Sequence, residues 1–510
     1  GSLRAMSIAL LLQGYPGMRT LIVTATEQEA LRFARDLKSC GVSAGVLPWW
    51  GSVPYRPTPS HGHIFADRAA VLTEFACAPD AVLVAPERAA LTPLPSAKSF
   101  ADARLLLTRR EAFDPQVAAR SLTDLGYQRV SRATVPGEFA LRGEVLDLVL
   151  PGESGGVRLV FDFDRIEAIR NLDPDTQVSQ GLRDSVSVPP LREVRWTDAD
   201  QARLLRVMES RPDLQRRTDE IREELAEQRH FTGEEWFYPL AAEGAGSLAD
   251  WLGADDLLVL VDRERLESGA EALRREYDAL YRRVRGELLI PSPQDVLLGF
   301  SSLCPDGPRR LEILQLQTAQ GERSIDLGAD PPRSFFGNVN FLKEEFANQV
   351  KAGTEIVLVA TSDAQAHRLR HLVPELELEV LTEDFADGFG LPESRLLVVH
   401  ESEIFGRRRR APRSVSSARS EMISSFVDLS PGDYIVHINY GIGRYQGIRR
   451  MEVSGNERDY VHLEFAGDEF IYLPIEQVNL IQRYIGSHGE APRLDTIGGG
   501  SWERRKSRVR

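Results

Sequence analysis

The chain has 510 residues, of which 42% are hydrophobic and 27% charged, with a formal net charge of −14 at pH 7. This length is too great for a single hydrophobic core and predicts three to five domains. The acidic balance excludes a protein that wraps nucleic acid over its whole surface, although it permits local basic patches.

The spacing of the cysteines and the length of the apolar runs indicate the cellular compartment of the protein. The three cysteines, Cys40, Cys77 and Cys304, lie far apart and form no C-x-x-C pair, which argues against a disulfide framework or a zinc site. The apolar run Ile8–Leu12 is too short for a membrane span or a signal sequence. We therefore expect a cytoplasmic protein that does not associate with membranes.

The first 111 residues alternate short apolar strands with helices. Thr20–Ala25 and Ala81–Pro86 read as buried strands, and a helix that ends at Gly41 follows the first of them. Such alternation predicts a parallel sheet. The chain starts inside a helical pattern, and its last residues, "SWERRKSRVR", begin a basic helical pattern that stops. We therefore expect a portion of a longer protein.

Period-two alternation marks two further regions. "ALRGEVLDLVL" and "GGVRLVFDFDRIEAIRNLD" alternate apolar and polar residues, which predicts a small α+β insert with antiparallel strands. Near the C-terminus, "DYIVHI", "GIGRYQGIRRMEV", "RDYVHLEF" and "EFIYLP" supply enough short strands for a five-stranded SH3- or Tudor-like barrel. We expect its glycines at sharp bends.

The remaining segments complete a multi-domain α/β fold. "TEIVLVAT" and "SRLLVVHESEIFG" predict strands of a second, small α/β domain, and the arginine- and serine-rich segment after them predicts a linker. The predicted boundaries are 1–111 for the first part of an α/β domain, 112–190 for the α+β insert, 191–305 for the second part, 306–406 for the small α/β domain, 407–425 for the linker, 426–486 for the β-barrel and 487–510 for the start of a further linker or helix.

Familiar catalytic motifs are missing. A P-loop needs G-x-x-x-x-G-K-[ST], in which backbone N–H groups and the lysine hold phosphates, and the sequence has no Gly-Lys-Ser or Gly-Lys-Thr. His61, His63 and Asp67 are conceivable metal ligands, but no second cluster accompanies them, so a locally packed loop is the favoured interpretation. We therefore predict no catalytic residues, no metal site and no nucleotide hydrolysis.

Two basic runs suggest a rival function as a nucleic-acid-binding module. Arg407–Arg410 and Arg504–Arg510 could contact phosphates. Aromatic residues are not interleaved with them, as base-stacking platforms would require. A multi-domain binding scaffold is therefore the preferred interpretation.

Two strands have patterns that suit binding. In the insert, Arg158 shares one face with Asp162, and Phe161 lies on the other. The residues alone favour solvated arginines over a core phenylalanine, with a patch for a partner's carboxylates as the alternative. In "IRRMEV" each face mixes charged and apolar residues, which fits an edge strand open to pairing with another protein's sheet. Alternatively, its arginines only protect that edge from aggregation.

Two blocks carry a resemblance to a known family. "VPGEFALRGEVLDLVLP" (Val135–Pro151) and "VRLVFDFDRIEAIRNLD" (Val157–Asp173) resemble the small domain that the repair protein UvrB shares with bacterial transcription-repair coupling factors (Mfd). "PGDYIVHINYGIGRYQGI" (Pro431–Ile448) and the strands after it resemble the RNA-polymerase-interacting domain of those factors, which UvrB lacks. The order of the blocks implies the N-terminal portion of a coupling factor.

The resemblance implies docking without catalysis. It makes the first α/β domain a degenerate P-loop-like copy of the nucleotide-binding domain of UvrB. The family's motor, which uses ATP and Mg²⁺ and makes most of the contacts with DNA, is expected beyond Arg510, and the chain itself is expected to need no cofactor. The implied partners are the RNA polymerase β subunit and the repair protein UvrA. The alternative is a UvrB-like nucleotide- or DNA-binding repair protein.

The resemblance also implies binding residues for UvrA. The arginines of "LRGEVLDL" and "VRLVF" match the family's binding arginines, so Arg142 and Arg158, with Phe161, form the implied site. The family commonly has an aromatic residue where this chain has Asp162, so we expect Phe161 or Phe163 to substitute for it. We expect joint substitution of both arginines by alanine to abolish UvrA binding and to leave the thermal melt unchanged.

The second implied site lies on the "IRRMEV" strand. Its residues Ile448, Arg449, Arg450 and Met451 match the family's contact strand for the RNA polymerase β subunit. On this interpretation the glycines before the strand shape the barrel, and the strand edge supplies the contact.

Overall fold

The computed structural model describes residues 2–50, 55, 62–153, 155–228, 230–231, 233–241, 245–286, 289–314, 324–331, 334–335, 338–376, 378–405, 432–437, 440–453, 456–467, 469–474, 481–483 and 494–496. Contacts divide the chain into two compact units, Gly1–Arg407 and Arg408–Arg510. The predicted linker 407–425 and most of the segment 487–510 lie outside the described residues. Within the described ranges, no helix combines the length and the apolar character that a membrane crossing requires.

The elements of the first unit alternate between helix and strand at both ends of the unit, and a run of seven strands, from Gln128 to Val188, lies between them. Its helices are α1 (Leu3–Gly14), α2 (Glu27–Ser39), α3 (Gly62–Cys77), α4 (Glu87–Ala90), α5 (Ala97–Ala103), α6 (Pro115–Asp124), α7 (Asp198–Ser210), α8 (Thr218–Gln228), α9 (Glu234–Ala241), α10 (Arg263–Val284), α11 (Pro293–Val296), α12 (Val339–Lys351), α13 (Asp363–Leu372) and α14 (Glu401–Phe405). Short 3₁₀ helices lie at Gln215–Arg217, Leu248–Trp251, Phe300–Leu303 and Pro374–Leu376.

The strands group by unit. Those of the first unit are β1 (Thr20–Thr24), β2 (Gly45–Val46), β3 (Val82–Pro86), β4 (Leu105–Thr108), β5 (Gln128–Arg129), β6 (Glu138–Arg142), β7 (Val145–Val149), β8 (Gly156–Asp162), β9 (Arg165–Leu172), β10 (Ser179–Arg183), β11 (Ser185–Val188), β12 (Leu257–Val261), β13 (Arg309–Ile313), β14 (Glu355–Ala360), β15 (Glu379–Thr382), β16 (Phe389–Leu391) and β17 (Leu396–His400). Those of the second unit are β18 (Tyr434–His437), β19 (Gly441–Val453), β20 (Asn456–Phe465), β21 (Glu469–Pro474) and β22 (Ile481–Arg483).

A parallel sheet in the order β13-β12-β1-β3-β2 forms the first α/β layer, as the sequence predicts. All five residues of β1 are buried, because helices cover both faces of the sheet. Ile22 packs in the core shared with α1 and α2, and Leu21 packs in the core on the opposite face. β13 continues this sheet past residue 305, where the second part of the domain was predicted to end.

The insert is a sheet in the order β10-β9-β8-β7-β6-β5. β6 to β10 are antiparallel, which confirms the period-two prediction, and β5 runs parallel to β6. One face is apolar, and Phe139, Leu148 and Leu159 are fully buried in the core that also contains residues of α6. β4 already pairs with β11 ahead of the predicted boundary at residue 112.

A buried ion pair joins the segment after the insert to the helix α3. Arg68 of α3 is fully buried and donates from Nη2 to Oε2 of Glu193 at 3.1 Å, just after the insert ends. Trp50 donates from Nε1 to Oε1 of the same carboxylate at 3.1 Å, and the guanidinium of Arg68 lies 5.2 Å from the centre of its ring. These bonds satisfy both charges away from water, as burial of a charge requires.

The second α/β region contains a sheet in the order β15-β14-β17-β16. β14, β15 and β17 are parallel, and β16 runs antiparallel to β17. "SRLLVVHESEIFG", which reads as one strand in sequence, forms β17 followed by α14. The change occurs at His400, because its N–H donates to Oε2 of Glu403 at 2.8 Å, the backward reach of a helix capping box.

The second unit is an antiparallel sheet in the order β21-β20-β19-β18-β22. Gly441 and Gly447 have φ angles of 86° and 119°, as expected for glycines at bends. The N–H of Ile442 donates to Oδ2 of Asp495 at 2.9 Å. A residue beyond the predicted end at 486 therefore contributes to the fold of this unit.

Candidate functional site

Three charged residues meet on the face of the insert sheet opposite its apolar core. Asp147 of β7 pairs in register with Arg158 of β8, and Arg142 comes from β6 on the other side. Arg142 donates from Nη2 to Oδ2 of Asp147 at 2.5 Å. Arg158 donates from Nε to Oδ1 at 2.6 Å and from Nη2 to Oδ2 at 2.9 Å. We call these three residues the Arg–Asp–Arg cluster.

The strand pattern explains why the cluster forms. Leu146 and Leu148 point into the apolar core, so Asp147 between them points to the other face. Its neighbours β6 and β8 place one arginine on each side of it. Asp147 is fully buried, and a buried carboxylate is stable only when charged or hydrogen-bonding partners compensate it.

The cluster combines fixed geometry with accessible positive charge. Hydrogen bonding to Asp147 raises the pKa of Arg158, although partial burial opposes that shift. The side chain of Arg142 is 51% exposed and that of Arg158 is 21% exposed. Two guanidinium groups surround one carboxylate, so a net positive charge remains to attract a carboxylate of another molecule.

The two aromatic candidates differ sharply in exposure. Phe161 is 1% exposed and packs in the apolar core, so its ring does not lie with the arginines. Phe163 occupies the turn between β8 and β9 with a φ of 53° and is 81% exposed. A positive φ is uncommon for a bulky residue and marks a position worth testing for function. The structure thus brings Arg142 and Arg158 together and separates Phe161 from them.

Asp147 is the member of the cluster that sequence reasoning missed. The available signal was an acidic residue inside the otherwise apolar strand "VLDLV". The same pattern also describes an ordinary solvent-facing aspartate, because alternation alone does not reveal burial of the second face. The cross-strand positions of Arg142 and Arg158 distinguish the two cases.

The strand β19 changes its pairing partners along its length. Gly441–Arg444 pairs with β18, whereas Ile448–Met451 pairs with β20. In the part of the chain that the structure describes, no strand pairs with the other edge of Ile448–Met451. Arg449 is exposed. The predicted contact residues whose side chains lie outside the described part are Ile448, Arg450 and Met451.

Of the three conceivable metal ligands, the structure describes the side chain of Asp67 alone. Among the described residues, no group of three or more histidine, cysteine, aspartate or glutamate side chains could hold a metal ion. His61 and the side chain of His63 lie outside the described residues. Asp67 accepts the N–H of Gly152 through Oδ1 at 3.2 Å, which attaches the turn after β7 to α3.

Two family models match separate parts of the chain. The UvrB interaction domain matches residues 105–193, which contain the Arg–Asp–Arg cluster. The CarD-like/TRCF RID domain matches residues 429–485, which contain the free edge of β19. Fold and matches together define a multi-domain α/β protein that combines a UvrB interaction domain with a CarD-like/TRCF RID domain.

Curated transcription-repair-coupling factors resemble most of the chain. The factor of Borreliella burgdorferi is 26% identical over an alignment that covers 96% of this chain and 43% of the relative. Those of Bacillus subtilis and Staphylococcus haemolyticus are each 25% identical and cover 84% and 88% of this chain, and 39% and 41% of the relatives. The chain is similar to transcription-repair-coupling factors over most of its length and spans less than half the length of these relatives, which agrees with the predicted N-terminal portion.

Proposed function

We propose that the chain is the non-catalytic docking part of a transcription-repair coupling factor. In this role it binds the RNA polymerase β subunit and recruits UvrA to stalled transcription complexes. The observation that carries the proposal is the Arg–Asp–Arg cluster within the match to the UvrB interaction domain. A buried charge cluster is weak evidence for stability, because desolvation offsets much of its attraction. The cluster does, however, hold two guanidinium groups in a fixed orientation, which suits binding to carboxylates of a partner.

In this proposal Arg142 and Arg158 form charge-assisted hydrogen bonds with carboxylates of UvrA. Asp147 is a positioning residue, since it holds both guanidinium groups and is itself inaccessible. Phe163 supplies the aromatic contact, because its ring is exposed at the end of β8. Phe161 supports the strand from the core, so the proposal moves the aromatic contact from Phe161 to Phe163.

The free edge of β19 is proposed as the docking site for the RNA polymerase β subunit. An unpaired strand edge offers N–H and C=O groups to a strand of another protein, and side chains such as Arg449 add specificity. Five antiparallel strands, the bend at Gly441 and the bond to Asp495 support the further proposal of an SH3- or Tudor-like barrel.

The start of α1 supports a role without nucleotide hydrolysis. Ser2 is fully buried, and its Oγ accepts the N–H of Asp387, from the loop after β15, at 3.0 Å. Asp36 accepts the N–H of Ala386 in the same loop at 2.7 Å. A loop thus contacts the first residue before α1, whereas P-loop proteins keep the corresponding helix end open for phosphate, which fits a degenerate P-loop-like domain. The chain then needs no cofactor, and ATP, Mg²⁺ and most DNA contacts belong to the family's motor.

Co-purification of the full chain with UvrA, and separately with the RNA polymerase β subunit, tests the proposed function. We expect both proteins to be retained in the absence of nucleotide. Retention of neither partner by a folded chain would contradict the docking role. A phosphate-release assay addresses the alternative of a UvrB-like nucleotide-binding protein, for which we expect no activity above background.

A further inference from the structure

The helix α13 carries two histidines one turn apart. His367 and His371 are four positions apart, so they project from the same face of the helix. Both side chains are exposed, and Nε2 of His371 lies 3.2 Å from Nε2 of His367. Their ring centroids are 4.4 Å apart. This pair lies on a different sheet region from the Arg–Asp–Arg cluster and has no part in the proposed docking.

The separation of the two nitrogens suits two neighbouring ligands of one metal ion. Metal–imidazole bonds are about 2.0–2.1 Å long. Nitrogens 3.2 Å apart with such bonds subtend roughly 103° at the metal, between the square or octahedral angle of about 90° and the tetrahedral angle of about 109°. Helices with the H-E-x-x-H motif place two zinc ligands on one face at this same spacing. The two nitrogens contact each other as hydrogen-bond partners, so a metal ion would replace that contact after a rotation of the exposed rings that directs both lone pairs at the ion.

The charges around the pair are compatible with a bound cation. Asp363 lies one turn before His367 on the same helix face. The guanidinium of Arg368 lies over the ring of Phe405 at 4.2 Å, and Arg370 donates to the carbonyl oxygen of Val380 at 3.2 Å. These two cations are thus directed to other partners. The last turn of a helix also carries partial negative charge, which favours a cation near His371.

We propose that His367 and His371 form an open two-histidine site for a transition-metal ion of the Cu²⁺, Ni²⁺ and Zn²⁺ group. Two neutral imidazoles supply the protein ligands, and water or a group from another molecule completes the coordination. The site is weaker than a closed structural site, since no group of three or more ligands exists among the described residues. Among these ions, Cu²⁺ binds most tightly.

The test is a titration of the full chain with Cu²⁺ at neutral pH, followed by calorimetry and electron paramagnetic resonance. We expect either His367→Asn or His371→Asn to weaken Cu²⁺ binding by about tenfold or more, since one imidazole cannot chelate. The resonance spectrum should show coupling to two nitrogen nuclei in the parent and to one in each variant. Both side chains are exposed, so circular dichroism should show an intact fold.

The matched control removes the other closely spaced histidine pair, through His61→Asn with His63→Asn. This control should retain the two-nitrogen signal and its affinity. Equal Cu²⁺ affinity in the parent and in both α13 variants would overturn the proposal. So would loss of the two-nitrogen signal in the control alone, because the metal would then bind at His61 and His63.

Discussion

Replacing Arg158 with alanine should destabilise the insert more than replacing Arg142. Arg158 provides two of the three guanidinium hydrogen bonds to Asp147, which is fully buried. Its loss leaves a buried carboxylate with one bond from a half-exposed side chain. Breaking a buried ion pair costs about 3–5 kcal/mol of unfolding free energy. Because the bond from Arg142 to Asp147 remains, we expect Arg158→Ala to cost about 3 kcal/mol, near the lower end of that range. Arg142→Ala removes one charge-assisted hydrogen bond, worth about 1.5 kcal/mol.

A double-mutant cycle with Asp147→Asn isolates the contribution of the buried charge. In that background the buried group is neutral, so Arg158→Ala should cost only about 1 kcal/mol. The coupling free energy between Asp147 and Arg158 should therefore be about 2 kcal/mol. The structure thereby revises the expectation that joint alanine substitution of Arg142 and Arg158 leaves the thermal melt unchanged.

Hydrogen exchange of the amides in β7 and β8 is the appropriate assay. A single melt of a multi-domain chain does not report on one domain, whereas amide exchange measures local opening. A loss of about 3 kcal/mol corresponds to exchange that is roughly 150-fold faster. The reasoning would be refuted if Arg158→Ala and Arg142→Ala accelerated amide exchange equally. It would also be refuted if Arg158→Ala accelerated exchange as much in the Asp147→Asn background as in the parent.

Four further substitutions, one of them a control, test other parts of the molecule. Burial raises the pKa of Asp36 to about 6 from its ordinary 3.8, so its stabilising neutral form is lost as the pH rises through about 6. Asp36→Asn should therefore stabilise the first unit by about 3 kcal/mol well above pH 6 and not below pH 3.8; an equal change in the amide protection of α2 at both extremes would contradict this. Gly441→Ala sets a Cβ against the carboxylate of Asp495 at a positive φ, whereas Gly467→Ala meets a positive φ of 79° alone. Amide exchange in β19 should show a loss of about 1 kcal/mol for Gly467→Ala and about 2–4 kcal/mol for Gly441→Ala; equal losses would count against the contact. Arg449→Glu should weaken binding of the RNA polymerase β subunit with the sheet intact, and an unchanged binding isotherm would exclude Arg449 from that interface.

The strands were predictable because local patterns report burial. β12 is an unbroken apolar run and β1 has three apolar residues between two threonines, and every residue of both is buried, as in strands covered on both faces. β8 and β9 alternate because their sheet has one fully apolar face. Arg142 and Arg158 could be proposed from residue type and resemblance, and their separation from the core follows from the same alternation.

Contacts between distant parts of the chain were not predictable from such patterns. Asp495 meets Ile442 across 53 positions, and Asp36 meets Ala386 across 350. Periodicity carries no information about which distant segments meet. Phe163 illustrates a second limit, since simple alternation places it in the core with Phe161. The positive φ at Phe163 ends the alternation and turns its ring to solvent.

The most direct test of the docking role is a titration of UvrA with the full chain and its Arg142→Ala and Phe163→Ala variants. The side chain of Arg142 is half exposed and that of Phe163 is largely exposed, so their loss should leave the insert folded. Arg183→Ala is the matched control, since Arg183 lies on β10 of the same sheet and pairs with Glu153 at 2.9 Å. We predict that Arg142→Ala and Phe163→Ala each weaken UvrA binding by about tenfold or more, whereas Arg183→Ala binds as the parent does. Equal affinity of all four proteins would contradict the assignment of the Arg–Asp–Arg cluster as the UvrA site.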